Sequence, residues 1–398
     1  MKILVADDER VTRHLLESFI SEWGFDVTTA TDGQEAWEIY RSGNFELMIS
    51  DWNMPHVNGL ELIKKIRAAP GNQYSYLILL TSRTEKSDLV SGLDAGADDF
   101  LNKPFDRNEL RARLRTGQRI INLQRELQKQ NDRLADANQR MQMDLVAAAR
   151  LQQSLLPNNL PDTDSAKFAW SFRPCEKLAG DNLNVFRLDA NRIGFYVADV
   201  SGHGVAAALL SFTISQLLSP QKLAHGLLVQ PGTGKDAKPH VSSPLQVINE
   251  LNQRFPTEEF DGNFFTIFYG VLDKRNCELQ YVSAGHPPFI LIRPGEKARM
   301  LETRSYPVGW KSDGEWEQQT LQLAPGDRLC IYSDGVADAE NSSREKFGDS
   351  RLVDSLISSV SHSIDDSIEQ AMLKIETWCG DNDGFKDDMS MLAIEITD

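Results

Sequence analysis

A proline-free run from Phe105 to Leu156 constrains this chain more than any other feature of its sequence. Pro104 and Pro157 bracket the run, and proline is the residue that a long helix excludes most strongly. One helix of this length would span on the order of 75 Å, so we expect it to connect two folded bodies. Apolar or small residues recur in it at the spacing of a coiled-coil seam, which shifts in phase at Leu145; they are Ile120, Leu123, Leu127, Leu134, Ala137 and Met141.

Length and charge narrow the class of protein. The 398 residues suffice for two or three domains that each bury a core. A net charge of −16 argues against binding to nucleic acid and against docking on an anionic membrane. The four cysteines form no CxxC pair, the start has no signal-peptide pattern, and no apolar run is long enough to span a membrane. We expect a cytoplasmic protein with reduced thiols, whose partners are neither nucleic acid nor membrane.

Residues 1–118 alternate short apolar runs with helical patterns. Strands are predicted at Lys2–Ala6, Phe25–Ala30, Phe45–Ser50, Tyr76–Leu80 and Asp99–Leu101, with helices between them. This alternation predicts an α/β fold with a doubly wound, parallel, five-stranded sheet. Ligands bind such sheets at the carboxyl ends of the strands.

Chemically active side chains follow these predicted strands. Asp7 and Asp8 end the first strand, Asp51 the third and Thr81 the fourth, and Lys103 follows the fifth. Clustered carboxylates repel unless a cation joins them, which predicts a Mg²⁺ site. A carboxylate beside Mg²⁺ can attack a phosphoryl donor, and a hydroxyl and an ammonium can then hold the phosphoryl oxygens. Each element alone is typical of a turn or helix cap, but their placement at the ends of four predicted strands favours a site.

This set of motifs resembles the receiver domain of two-component response regulators. The resemblance implies that Asp51 is the phosphoacceptor and that a histidine kinase or a phosphotransfer protein is the partner. It also implies a switch pair of Thr81 and Phe100 and a cis bond between Lys103 and Pro104. The implied Mg²⁺ ligands are Asp7, Asp8, Asp51 and the main-chain carbonyl of Asn53.

Residues 157–398 are richer in strand and turn patterns. Helices are predicted after Gly204 and at Leu245–Arg254, Ser350–Val360 and Asp365–Cys379. The segment Gln221–Ser243 is rich in Gly, Pro, Ser and Lys, which predicts a mobile surface excursion. The pattern favours an α/β sandwich of two sheets flanked by helices. The predicted strands are Ile193–Val200, Phe264–Leu272, Glu278–Ser283, Pro288–Arg293, Arg328–Ser333 and Met389–Thr397.

Four carboxylates carry the expected chemistry of this second body. Asp181 lies in AGDNLNVF, Asp199 ends the strand in ADVSGHGVAAALL, Asp334 ends the strand in LCIYSDGVADA, and Asp387 precedes the last strand in FKDDMSMLAI. Acidic ligands without His/Cys spacing favour Mg²⁺ or Mn²⁺. Two such ions about 4 Å apart can activate a water for in-line attack on phosphorus.

More ordinary interpretations of single motifs remain open. Asp334-Gly335 alone is typical of a turn. His203 and His286 look like ligands, but isolated histidines in tight Gly/Pro turns are more often structural.

The motifs AGD, ADVSGHGVAAA, FFTIFYGVLD, YVSAGHPP, PVGW, LAPGDRLCIYSDGVADAEN and DDMS together resemble the PP2C-type metal-dependent serine/threonine phosphatases. The similarity is to the bacterial branch typified by regulators of partner-switching sigma factors, in which LQQSLLP resembles the preceding segment. In the main departure, Asn184 stands where many members have Asp; the replacement of a frequent Gly by Ala179 is milder. The resemblance implies two Mg²⁺ or Mn²⁺ ions bridged by Asp199, one completed by Asp181 and the Val200 carbonyl, the other by Asp334 and Asp387.

Together these features predict a receiver domain at 1–118, a helical coiled-coil linker at 119–156 and a phosphatase domain at 157–398. Phosphorylation of Asp51 would control dephosphorylation of an anti-sigma-factor antagonist, and the linker would pair two chains in a homodimer. The alternative is an adaptor with an inactive phosphatase fold that binds a sigma factor or its regulator. The retention of four acidic ligands disfavours the adaptor. A DNA-binding regulator is disfavoured by the acidic charge and by the lack of a C-terminal helix-turn-helix pattern.

Overall fold

The computed structural model describes residues 1–69, 74–82, 86–161, 163–219, 227–230, 240–256, 262–303, 305–380 and 385–397. These residues form two compact units, Met1–Arg140 and Met141–Asp398. The domain boundaries at 118/119 and 156/157 stay predictions. Within the described ranges, no helix is both long and apolar enough to cross a membrane.

The first unit is a doubly wound α/β domain, as the alternating pattern predicts. All its strands are parallel, in the order β2-β1-β3-β4-β5. Because β1 and β3 are neighbours, the residues that follow them meet at one edge of the sheet. The elements are β1 Lys2–Ala6, α1 Arg10–Glu22, β2 Asp26–Ala30, α2 Gly33–Ser42, β3 Leu47–Asp51, α3 Gly59–Ala68, β4 Tyr76–Thr81, α4 Lys86–Asp94, β5 Asp99–Asn102 and α5 Arg107–Gln153.

Buried residues cover both faces of this sheet. One face packs against α2 and α3, and the other packs against α1 and the start of α5. Two of the helices begin at side-chain caps: Asp32 accepts from main-chain N–H groups of α2, and Asn58 forms a capping box with Glu61 in α3. These caps satisfy donors that the first helical turn leaves unpaired.

Helix α5 is continuous over 47 residues and begins in the first unit. Ile121 is buried in the core of that unit and Ile120, the first member of the predicted seam, packs partly against it. Arg125 pairs with Glu46. Beyond this point the seam faces outward, since Leu127 is 54% exposed and Leu134 is 69% exposed. The apolar stripe is therefore exposed along the part of α5 that follows the residues packed in the core of the first unit.

The second unit is a sandwich of two five-stranded antiparallel sheets, ordered β15-β12-β11-β8-β7 and β14-β13-β16-β17-β6. A small ladder joins β9 and β10. The elements are β6 Ala166–Arg173, β7 Asn182–Arg187, β8 Arg192–Val200, α6 Val205–Leu217, β9 Val229–Gln230, β10 His240–Val241, α7 Pro244–Arg254, β11 Phe265–Asp273, β12 Glu278–Ala284, β13 Phe289–Ile292, β14 Arg299–Leu301, β15 Gln319–Gln322, β16 Arg328–Tyr332, α8 Asp334–Asp338, α9 Gly348–Ser358, α10 Ile364–Cys379 and β17 Met389–Ile396.

The two-residue alternation along β8 shows how the layers form. Phe195 and Val197 point between the sheets, into a core shared with β17. Tyr196 and Ala198 point to the opposite face and pack beneath α6 and α7. The outer face of the second sheet is covered in the same way by α9 and α10. The predicted sandwich flanked by helices is thereby confirmed.

Several local predictions need correction. Asp334 does not end a strand: β16 stops at Tyr332, and Asp334 opens α8. Strands β6, β7, β9, β10, β14 and β15 have no counterpart in the sequence prediction. Most of the predicted surface excursion, residues 221–226 and 231–239, lies outside the described residues. Its described part includes Leu228, which is buried in the core beneath α6 because an apolar side chain gains by leaving water.

Candidate functional sites

The carboxyl ends of β1 and β3 bring three carboxylates together in the first unit. The carboxylate oxygens of Asp7, Asp8 and Asp51 lie within 4.8 Å of one another. Asp7 is fully buried and Asp51 is 8% exposed. The Lys103 ammonium donates to Asp7 Oδ2 at 2.8 Å and lies 3.1 Å from Asp51 Oδ1. A single ammonium among three carboxylates leaves an excess of negative charge, and oxygen ligands at this spacing suit Mg²⁺.

Asp51 is held in a fixed orientation. Its Oδ1 atom accepts from the main-chain N–H of Trp52 at 2.9 Å and also contacts Lys103. Burial raises the pKa of Asp51 even though Lys103 acts in the opposite direction. Burial would lower the pKa of Lys103, but its hydrogen bonds with Asp7 and Asp51 outweigh that effect and raise it. The site therefore stabilises a protonated lysine beside a partly desolvated acid.

The remaining predicted receiver residues lie around this cluster. Thr81 is fully buried at the end of β4, and its carbonyl accepts the main-chain N–H of Lys103 at 2.8 Å. Asn53 is exposed just beyond Asp51. Phe100 is partly buried on β5, and the bond between Lys103 and Pro104 is cis, as predicted.

The second unit gathers four carboxylates at one end of its sandwich. The carboxyl groups of Asp181 and Asp334 lie close enough to that of Asp199 on β8 to act on its pKa. Two carboxylates at that distance repel each other unless a proton or a cation lies between them. Burial, with the charges of Asp334 and Asp387, raises the pKa of Asp199 to about 8. Burial and the Asp199 charge raise the pKa of Asp181 well above its usual range.

Two glycines allow the main chains that carry these acids to approach closely. A Cβ atom on Gly180 would lie 2.9 Å from the Val200 carbonyl oxygen, beside Asp181. A Cβ atom on Gly335 would lie 2.1 Å from the Asp388 carbonyl oxygen, so only glycine lets α8 pack there. The glycines of AGD and SDG thus serve the assembly of the acid cluster.

Asp388 is a further member of the site that the sequence analysis did not identify. It is 3% exposed, and its carboxylate accepts main-chain N–H groups from Cys175 at 2.8 Å and from Gly180 at 2.7 Å. Asp387, its neighbour, is exposed. The Asp-Asp pair in DDMS was a visible signal, but the sequence does not say which carboxylate turns inward to bind the main chain.

The oxygen donors fit hard divalent cations. The Cys175 thiol also lies within 4.8 Å of the Asp387 and Asp388 carboxylates. Burial and the Asp388 carboxylate raise the pKa of Cys175 to about 12, so the thiol stays protonated and is a poor ligand. Carboxylates and a nearby carbonyl then remain as donors, which is the ligand set that Mg²⁺ and Mn²⁺ prefer.

The two histidines differ in environment. His203 is exposed, and its Nδ1 atom lies 3.1 Å from Glu176. His286 is 5% exposed, and its Nδ1 atom lies 2.9 Å from the Thr266 hydroxyl. Burial lowers the pKa of His286 to about 3, so this ring is neutral. A buried neutral ring bonded to a hydroxyl fits the structural interpretation of His286.

Comparison with known proteins bears on both units. The family described as "Response regulator receiver domain" matches residues 3–115, and "Stage II sporulation protein E (SpoIIE)" matches residues 189–397. "Chemotaxis protein CheY1" of Helicobacter pylori is 36% identical over 116 residues, which are 29% of this chain and 94% of CheY1.

"Protein IcfG" of Synechocystis sp. is 30% identical over 270 residues, which are 63% of this chain but only 41% of that relative's length. Among solved structures, the SiaA-PP2C domain of Pseudomonas aeruginosa superimposes with a TM-score of 0.53 at 20% identity, covering 66% of this chain and 99% of that domain. That likeness shows a shared fold. The chain therefore belongs to the SpoIIE family of PP2C-type phosphatase domains and carries a response-regulator receiver domain in residues 3–115.

Proposed function

We propose that this protein is a response regulator whose output is a metal-dependent serine/threonine protein phosphatase. The observation that carries the proposal is the close packing of Gly180 on Val200 and of Gly335 on Asp388, which brings the segments of the four acids together. Asp334, Asp387 and Asp181 are then near enough to act on the pKa of Asp199. Crowding these four carboxylates does not stabilise the fold, because each raises the cost of ionising the next. Such a cluster is expected where cations are bound.

In the receiver, Asp51 would take up a phosphoryl group from a phosphohistidine on a histidine kinase or a phosphotransfer protein. Its carboxylate oxygen forms the new bond to phosphorus, and the imidazole of the donor leaves. Mg²⁺ held by Asp7, Asp8, Asp51 and the Asn53 carbonyl would screen the negative charge that gathers there. Lys103 already contacts Asp51 and would shift toward the phosphoryl group. That group adds roughly 1.5–2 negative charges.

In the phosphatase, two cations would be held by Asp199, with Asp181 and the Val200 carbonyl on one side and Asp334 and Asp387 on the other. Mg²⁺ or Mn²⁺ bound there would supply the Lewis acidity that attack of water on a phosphoester needs. Asp181 is buried and oriented by Ser390, whereas Asp334 and Asp387 are exposed and leave the mouth of the site open to a phosphorylated side chain.

Helix α5 would carry the signal as one arm of a parallel homodimer. Leu123, Leu127 and Leu134 are each more than half exposed in the single chain. A second copy of the same helix, packed in register, would bury this stripe as a coiled-coil seam. Membership in the SpoIIE family supports a phosphorylated anti-sigma-factor antagonist as the substrate, in a partner-switching pathway of the cytoplasm.

The test is phosphatase activity of the full chain on a phosphorylated antagonist protein, with and without a small phosphodonor for the receiver. We expect turnover that needs Mg²⁺ or Mn²⁺, changes when Asp51 is phosphorylated, and disappears in Asp199→Ala. Asp354→Ala is the matched control, because it removes an exposed acid of α9. Turnover that persists in excess chelator or in Asp199→Ala contradicts the proposed metal-dependent activity, whereas an absence of turnover in wild type favours the adaptor.

A further inference from the structure

The end of helix α5 contacts the loop that carries Asp181. The side-chain amide of Gln152 donates to the carbonyl oxygen of Ala179 at 2.6 Å, and its Oε1 atom accepts the main-chain N–H of Ala179 at 3.0 Å. Both main-chain groups of one residue are therefore paired with one side chain, 27 residues away in the sequence. Ala179 is 1% exposed, so its polar groups need partners inside the protein.

Ala179 stands two residues before Asp181, and the peptide between them is held from the other side. The Gly180 N–H donates to the Asp388 carboxylate at 2.7 Å, and Asp388 is adjacent to Asp387. A series of hydrogen bonds thus runs from Gln152 through Ala179 and Gly180 to Asp388, the neighbour of the proposed metal ligand Asp387. A shift at the helix end would displace the Asp181 loop or leave buried groups unpaired, and both cost free energy.

A second contact, independent of Gln152, ties the same two segments. Asn184 donates from Nδ2 to the Leu155 carbonyl at 3.4 Å and accepts from the Val185 N–H at 2.8 Å. An ionised Asp at this position could accept the second bond but could not donate the first. This gives a physical reason for the main departure from the family pattern. Asn184 serves the junction between the helix end and β7.

We propose that Gln152 is a positioning residue for the metal site. Helix α5 acts on the phosphatase by making or releasing the two hydrogen bonds between Gln152 and Ala179. The inference rests on the proposed function and adds to it the residue at which control is exerted. A helix turns by about 100° per residue, so a small rotation of α5 suffices to carry Gln152 away from Ala179. Loss of both bonds would free Asp181 from the arrangement that brings it to Asp199.

The test compares Gln152→Ala, Gln152→Glu and the control Gln153→Ala in the full chain. Gln153 is the next residue of the helix and is exposed. The readouts are Mn²⁺ affinity by calorimetry, hydrogen exchange of the Ala179 and Gly180 amides in the metal-free protein, and phosphatase kinetics. Circular dichroism shows whether each variant is folded.

We expect Gln152→Ala to weaken Mn²⁺ binding by about tenfold, the effect of two lost hydrogen bonds, and to speed exchange at Ala179. Gln152→Glu should keep the Ala179 amide protected from exchange, because a carboxylate still accepts the hydrogen bond of the Ala179 N–H. The variant loses the hydrogen bond to the Ala179 carbonyl, so it should lose part of the Mn²⁺ affinity. Gln153→Ala should match wild type in every readout.

Two results separate this inference from the proposed function. If wild type is active and Gln152→Ala has wild-type affinity and exchange, Gln152 does not position the site and the inference is wrong. If wild type binds Mn²⁺ but dephosphorylates nothing, while Gln152→Ala still loses affinity and protection, the positioning role stands and the proposed enzyme activity fails. If Gln152→Ala unfolds, Gln152→Glu decides the same question through Mn²⁺ affinity, because it keeps the side-chain volume but loses the hydrogen bond to the Ala179 carbonyl; a wild-type affinity of this variant would overturn the inference.

Discussion

The Ser390 hydroxyl donates a hydrogen bond to Oδ2 of Asp181 at 2.7 Å, joining residues 209 positions apart in the chain. Ser390 lies on β17 of one sheet and Asp181 immediately precedes β7 of the other. Burial raises the pKa of Asp181, and the hydroxyls of Ser333 and Ser390 act against that rise. The bond therefore links the closure of the sandwich to the ionisation of a proposed metal ligand.

Ser390→Ala should weaken Mn²⁺ binding by roughly ten- to thirtyfold, since a hydrogen bond to a charged group is worth more than one between neutral groups. The pKa of Asp181 rises further in this variant, so the loss should be larger at low pH than at high pH. Calorimetric titrations at several pH values measure both effects. Ser355→Ala is the control, because that buried hydroxyl has no hydrogen-bond partner among the described residues. Equal affinities of Ser390→Ala and wild type would contradict the assigned role of this bond.

Stability of the metal-free protein should fall with rising pH. Burial and neighbouring carboxylates raise the pKa of Asp199 to about 8, whereas an unfolded Asp titrates near 3.9. The native state then binds more protons than the unfolded state between these values, so the free energy of unfolding decreases as pH rises from about 4 to about 8. Hydrogen exchange of β8 in excess chelator measures this, and Asp199→Asn should flatten the dependence.

The control for that experiment is saturating Mn²⁺, which should remove most of the pH dependence above pH 6 or so, because bound cations favour the ionised carboxylates. If β8 in the metal-free protein gains protection as pH rises through this range, the carboxylates are not crowded as the structure shows.

Asp51 is predicted to be the only phosphorylated residue of the receiver. Its Oδ1 atom faces Lys103, and its carboxylate oxygens lie within 4.8 Å of those of Asp7 and Asp8. A small phosphodonor with Mg²⁺ should label wild type, and labelling should be lost in Asp51→Asn and also when Mg²⁺ is withheld. Intact-mass measurement detects the added group. Equal labelling of the variant would show that another residue is the acceptor.

Helix α5 is predicted to transmit orientation. Inserting seven residues after Ala135 preserves the direction of the apolar seam to within about 20°. Inserting two residues turns the downstream half by about 200° and should uncouple the phosphatase from the receiver. The measurement is the ratio of phosphatase activity with Asp51 phosphorylated to that without.

The seven-residue variant should retain this ratio, and the two-residue variant should lose it. Both insertions lengthen the helix, so length alone cannot produce the difference. Wild-type ratios in both variants would mean that α5 is only a spacer.

Local patterns in the sequence determined the two bodies, the parallel sheet and the long helix. The spacing of apolar residues and the positions of prolines suffice to predict these elements, because both act within a few residues. The same holds for Asp7, Asp51 and Asp199, which follow predicted strands. Their side chains must meet once parallel or paired strands align, so their grouping could be expected before the fold was known.

Tertiary structure decided what depends on contacts between distant segments. The sequence shows Asp387 and Asp388 as equivalent neighbours, and only the packing of the Gly180 loop turns Asp388 inward to accept main-chain N–H groups. In the sequence, Gln152 and Gln153 are two polar residues of one helix. Only the packing of the end of α5 brings the Gln152 side chain to the main chain of Ala179. Hydrogen-bond partners are chosen by which buried groups the fold leaves unpaired, and no local pattern records that choice.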